Sequence, residues 1–453
     1  MKTINKLYYV MILVSITFIT SCVTSDLEPS LEQEKELDGN INTDEDLFGL
    51  LKGGLNRMTA SAYYGRDIII NNEVRTINTF ANGNSGRFGT QASFSYNASS
   101  NLGVWTEAYR VISSANLIIN TDLSTITGDV AFAKHIQGQA YALRALAHFD
   151  LMRNYGQQYD GGTLGVPYVT EFKGNEESPA RLSVEEVKTR IYSDLEAAYT
   201  TMDAAYFDST KEFLSKESAK AIESKVATYF GDWNRVISSS EIVIGSGNYS
   251  IIPAADYVSS FGQDGSSNSI FELAFSSTDN VGINGLAYIY RGDSYGDIEV
   301  LDNVLTLYEA GDVRANILGY EFGLLRNMGK YPELQGFDNV NIVRYEEIIL
   351  NYAEALFETG GDAITQLNLL TAKRGASEYV AVTKDDIINE RRKELIFEGF
   401  YFDDLYRTGK GIDKIDPKQN ILQSIPPGDF RMILPIPVVE IDVNSNMVQN
   451  RNY

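Results

Sequence analysis

One cysteine, two histidines and two tryptophans are all that the 453 residues contain of those types. Cys22 has no second thiol to pair with, so an internal disulfide is excluded. His135 and His148 sit on an alanine-rich stretch without metal-ligand spacing around them. No H-E-x-x-H, G-x-S-x-G or phosphate-binding glycine loop occurs either. The usual equipment for metallohydrolase, serine-esterase or nucleotide chemistry is thus missing, and no cofactor is expected. Cations are scarce as well: 38 Lys and Arg face 61 Asp and Glu, a net charge of −23. That balance argues against nucleic acid, whose phosphates need clustered Lys and Arg. Long apolar runs are also absent. The one candidate, residues 7–19, falls short of the roughly 20 residues of a spanning helix.

That stretch has another use. Lys2 and Lys6 form a short basic start, LYYVMILVSITFI follows, and small residues Thr20 and Ser21 lead into Cys22. The order is that of a secretory signal. Ile19-Thr20-Ser21-Cys22 resembles the bacterial lipobox, in which the cysteine is acylated and becomes the first residue of the mature chain. Residues 1–21 are therefore expected to be a lipoprotein signal peptide and Cys22 the lipidation site. Residues 22–39 are polar and acidic and are expected to form a flexible tether. Residues 40–453 are expected to form a single domain.

Helical periodicity dominates what remains. Apolar residues recur at three- and four-residue spacing over 44–58 and 104–119, where Trp105, Tyr109, Ile112 and Ala115 share a face. Residues 134–155 are alanine-rich and stop at Gly156. Ser183 with Glu186 has capping-box form and opens a helix to about Met202. Pairs follow at 215–230 with 233–244 and at 344–358 with 362–374; a long helix is expected from Thr383 toward Arg407. These helix–turn–helix units resemble tetratricopeptide repeats without a strict period. Two long irregular segments, 63–103 and 246–330, interrupt them. Segments of that length on a helical scaffold are commonly functional. The alternation in Ile270–Phe275 predicts a minor strand component. Charged residues Glu390, Arg391, Arg392, Glu394 and Glu398 are expected to form ion pairs along one helix surface.

Several motifs occur together, in order. Trp105–Asn120 resembles W-x-x-x-Y-x-x-I-x-x-A-N-x-x-I. Arg144–Gly156 (RALAHFDLMRNYG) is followed by Gly165-Val-Pro-Tyr168, Tyr229–Trp233 (YFGDW) and Arg344–Leu356 (RYEEIILNYAEAL). Glu390–Leu395 (ERRKEL), Phe402–Leu405 and Pro435-Ile-Pro437 through Gln449-Asn450 complete the set. In this set the chain resembles the SusD/RagB outer-membrane lipoproteins of Bacteroidetes.

The resemblance implies a mainly α fold of tetratricopeptide-like helix pairs with long irregular loop insertions and minor β-hairpins. It implies a non-catalytic surface lipoprotein that captures an oligomeric nutrient and delivers it to a SusC/RagA-like TonB-dependent transporter. An oligosaccharide is the first ligand class; a peptide, as handled by RagB, is the alternative. A surface hydrolase is a third class, for which the chain lacks the toolkit. The irregular segments supply the candidate ligand residues: Arg66, Asn72, Arg87, Phe88 and Tyr96 in the first, Tyr288, Tyr290, Arg291 and Tyr295 in the second. Flat rings and bidentate guanidinium donors suit a neutral oligomer. In an extended chain Tyr288 and Tyr290 would share a face. Asp293, Asp297 and Glu299 offer oxygens to calcium but lack a recognised spacing.

Overall fold

A computed structural model describes residues 41–100, 103–171, 178–291 and 295–453. The expected leader, Cys22 and the acidic tether lie outside these residues, as does Asp293. Thr43–Tyr453 forms one unit by its internal contacts, and its helix starts follow side-chain caps. Thr43 and Asp46 cap each other reciprocally to open α1 (Asp44–Met58), which buries Leu47, Leu51, Leu55 and Met58. A short α2 (Asp67–Glu73) follows, then α3 (Val104–Ile119), with Trp105, Ala108, Val111, Ile112 and Ala115 turned inward. α4 (Val130–Tyr155) begins a turn earlier than its apolar pattern, because the Asp129 carboxylate accepts the Phe132 amide hydrogen. Ala140, Ala142, Ala145 and Ala147 are all fully buried, so α4 is central and α3 and α5 (Val184–Thr201) pack against it.

The pairs continue through α6 (Lys216–Phe230) with α7 (Trp233–Gly245), and α8 (Tyr345–Thr359) with α9 (Ala363–Ala372). Motif residues hold them together. Arg144 on α4 makes a bidentate pair with Asp194 on α5, both contacts 2.7 Å. Asp150 accepts the hydroxyls of Tyr63 and Tyr64 at 2.6 and 3.1 Å. His148 is enclosed: Val169 donates its N–H to Nε2, Nδ1 faces the Arg144 carbonyl, and burial pushes the ring pKa down to about 3. His135 Nδ1 accepts the Asp203 amide.

Strands are few and all pair antiparallel. β1 (Thr79–Ala81) joins β3 (Ile298–Val300), β2 (Ser269–Leu273) joins β6 (Val340–Arg344), and β4 (Leu318–Glu321) forms a hairpin with β5 (Leu324–Asn327). The β1–β3 pair decides the layout of the surface, because it zips the two long irregular segments to each other.

Two expectations about the C-terminal half need correction. The helix from Thr383 does not run to Arg407. It ends as α10 (Lys384–Leu395) and resumes as α11 (Tyr401–Arg407), with Phe397 and Gly399 at φ 70° and 82° between them. Secondly, the charged residues there are interior. Glu390 and Glu394 are 0% exposed, and Glu398 lies past the break. They face Arg314, Arg344, Arg374 and Lys330, which arrive from other elements.

The break is enforced by close approach. A Cβ on Gly399 would stand 3.0 Å from the Ile69 Cα and 3.3 Å from its carbonyl oxygen, on a left-handed backbone. Gly399→Ala is expected to cost about 2 kcal/mol from strain and the backbone clash. Chemical denaturation at pH 7 checks this; an unchanged midpoint would show that α2 yields freely.

Candidate functional site

Where β1 and β3 end, the two irregular segments meet. The Asn82 amide hydrogen bonds to the Asp297 carbonyl, and the Asn82 side chain donates to the Gly296 carbonyl at 2.9 Å and to Glu299 at 2.8 Å. Asn84 donates to the Tyr295 carbonyl. This frame carries Arg87 over the Tyr295 ring, 4.0 Å from its centroid. Arg87 is anchored by Asp297 at 2.9 Å, and Asp297 also accepts the Ser85 amide at 3.0 Å. Asn284 Oδ1 accepts from Arg87 at 3.0 Å and from Arg66 at 3.4 Å. The two guanidinium groups flank the Phe88 ring at 5.9 and 5.7 Å. Arg66 is in turn paired with Asp67 at 2.6 Å.

Four of the sequence candidates therefore come together: Arg66, Arg87, Phe88 and Tyr295. Arg66, Arg87 and Tyr295 keep partial exposure, whereas Phe88 is a buried floor beneath the arginines. The site is an open surface with a ring face, guanidinium edges and amides pointing outward. Salt-bridged Arg87 fixes its donors in place, which lowers the ordering cost of binding.

The remaining candidates separate. Asn72 is 1% exposed and donates to the Gly399 carbonyl at 3.0 Å. Tyr96 is buried against Tyr453 and donates to the Arg431 carbonyl. Tyr290 is 1% exposed, donates to the Phe397 carbonyl at 3.0 Å and stacks on Tyr331. These three are core residues; each polar end is spent on an internal partner. Tyr288 and Tyr290 do not share a face, since Leu286–Tyr290 is helical. Tyr288 stays half-exposed, and Arg291 reaches Glu321 at 3.5 Å and the Pro332 carbonyl at 3.3 Å. As calcium ligands, Asp297 and Glu299 are already engaged by Arg87 and Asn82. Among the described residues no cluster of three or more His, Cys, Asp or Glu could hold a metal ion.

That Arg291–Glu321 contact joins the surface to a feature missed in the sequence, the β4–β5 hairpin. Phe322-Gly323 form its two-residue turn with φ of 53° and 78°, the type I′ pattern. Tyr320 and Phe322 expose 65% and 77% of their surface. Phenylalanine at a left-handed turn position costs about 1 kcal/mol that Asn or Gly would avoid. The Phe-Gly dipeptide between alternating residues was the available signal.

A larger groove, about 960 Å3, lies between α5 and the α6–α7 turn. Its aromatic faces are covered: Arg235 lies 4.2 Å from the Tyr192 centroid and Lys384 4.8 Å from that of Trp233. It offers no free stacking face despite its size.

Two family models match the chain. One, described as starch-binding and associating with the outer membrane, matches residues 31–228; the other, the SusD family, matches residues 326–453. A solved putative sugar-binding protein from Bacteroides vulgatus superposes with TM-score 0.84 at 27% identity, covering 92% of this chain and 100% of that one. A SusD-like protein from Formosa agariphila is 24% identical over 411 residues, 75% of this chain and 79% of that protein. Starch-binding protein SusD from Bacteroides thetaiotaomicron is 32% identical over 127 residues, 27% of this chain and 22% of that protein.

Proposed function

The chain belongs to the SusD/RagB family, and on that footing we propose that it binds an oligosaccharide at the Arg66–Arg87–Tyr295 surface. The observation that carries the reading is the anchored Arg87 stacked on Tyr295 beside Asn284. A ring face takes the apolar side of a pyranose, while guanidinium and amide groups meet its hydroxyls. Binding is without covalent chemistry, and the bound oligomer passes to a SusC/RagA-like TonB-dependent transporter. The lipobox at Cys22 supports a lipid anchor in the outer membrane. No helix among the described residues is long and apolar enough to cross a membrane, which fits a tethered capture protein working beside a separate channel.

Calorimetry with maltooligosaccharides and β-1,3-, β-1,4- and mannose-based oligosaccharides tests the proposal. Wild type is expected to bind at least one series. Arg87→Ala and Tyr295→Ala are each expected to weaken it about tenfold, near 1.4 kcal/mol, with melting unchanged. Binding of short peptides and of none of these sugars would overturn the glycan reading in favour of the peptide one.

A further inference from the structure

The β4–β5 hairpin has a composition that stability does not explain. Its tip holds two aromatic side chains in water, one at a backbone position that favours Gly or Asn. Exposed rings of this kind mark contact sites. Tyr320 and Phe322 have no ring or cation partner within stacking distance among the described residues, so their faces are free. The hairpin is also rigidly registered. All four strand pairs from Leu318–Asn327 to Glu321–Leu324 are formed, and Arg326 donates to the carbonyls of Gly296 and Ile298 at 2.6 and 2.7 Å. Those carbonyls belong to the chain directly after Tyr295. Glu321, between the two rings in sequence, faces the other way and holds Arg291. The tip is therefore fixed relative to the loop that carries Tyr295.

We propose that Tyr320 and Phe322 form an outer stacking shelf for sugar units beyond those at the Arg87–Tyr295 surface, so that the protein selects longer oligosaccharides over short ones. This rests on the glycan reading above and adds a length preference to it. An apolar shelf next to polar anchors divides the work. The anchors fix the register of one unit, and the shelf takes the ring faces of units further along without reading their hydroxyl pattern.

The test is calorimetry with a ladder of two to seven units from whichever glycan series the wild type binds, on wild type, Phe322→Gly and Tyr320→Ser. Glycine suits the turn, so Phe322→Gly is expected to keep or raise the melting temperature, which separates loss of binding from loss of fold. Wild type should bind the heptamer on the order of tenfold more tightly than the dimer. Both variants should bind the dimer as wild type does and lose most of the gain with length. Equal ladders for wild type and variants would overturn the shelf while leaving the anchor site intact. A wild type that binds no glycan in the panel overturns the underlying reading and the shelf with it.

Discussion

Glu394→Ala is expected to lower the unfolding free energy by about 3–5 kcal/mol, because it leaves buried guanidinium groups without their counter-charge. The carboxylate is 0% exposed and accepts from Arg374 through two nitrogens, both at 2.9 Å, and from Arg344 at 2.8 Å. Arg314 stands 3.4 Å away. Burial alone would raise the Glu394 pKa, but Arg374, Arg344 and Arg314 outweigh it and hold the group well below the usual carboxylate range. The remaining carboxylates cannot take over. Glu390 is engaged by Arg314, Glu346 by Arg374 and Arg344, and Glu398 by Arg344 and Lys330. Glu394→Gln keeps the shape and loses the charge, so it separates packing from electrostatics. Guanidinium unfolding at pH 7 measures both. A loss under about 1 kcal/mol for the alanine variant would mean that the network relaxes around the gap. The pH dependence has a definite sign. A lowered carboxylate pKa stabilises the fold above the unfolded value near 4.3, and that contribution is lost as pH falls below it.

Glu73 has the opposite sign. It closes α2 with 0% exposure, and burial pushes its carboxyl up to about 7. The Gly399 N–H, donated to Oε1 at 2.9 Å, only partly offsets this. Lys330 is nearby, but its ammonium is committed to Glu398 and to the carbonyls of Glu394 and Ile396, and Glu398 itself repels the charge. The folded protein therefore keeps a proton that the unfolded chain has lost between about pH 4.5 and 7. Stability from this group is complete below the unfolded pKa and falls across that window, by about 3 kcal/mol in all. Glu73→Gln stays neutral throughout and retains an acceptor for Gly399. Its stability relative to wild type should rise from near zero at pH 4.5 to about 3 kcal/mol at pH 8. Urea midpoints at the two pH values read the difference directly. An offset that does not change with pH would show that Glu73 titrates normally.

The helical frame was legible because its signals are local. Thr43 with Asp46 and Ser183 with Glu186 announce helix starts within four residues, and the Trp105–Ala115 spacing declares its buried face. The interruption at Phe397–Gly399 was not, because it is imposed from outside: Ile69 presses on Gly399, and Lys330 and Arg344 hold Glu398. The fate of the charged motif was hidden for the same reason. Glu390 and Glu394 look like an exposed helix stripe until Arg314, Arg344 and Arg374 arrive from distant positions. At the surface, composition selected the correct two segments but could not rank their rings. Tyr290 and Tyr295 lie five residues apart, yet one is core and the other is stacked beneath Arg87. The difference is set by Phe397 and Asp297, neither of them a neighbour of both rings. Tyr320 and Phe322 escaped notice because their role depends on the hairpin leaving them in water.

The buried ion network also constrains how the chain is made. Its arginines enter at positions 314, 344 and 374, but the carboxylate that gathers all three is Glu394. Synthesis runs from the N-terminus, so a growing chain carries these cations for some 80 residues before their shared partner emerges. Over that interval the C-terminal half has no low-energy way to desolvate them. Assembly of this half is thereby deferred until nearly the whole polypeptide is present, and then proceeds as one cooperative step dominated by contacts far apart in the chain.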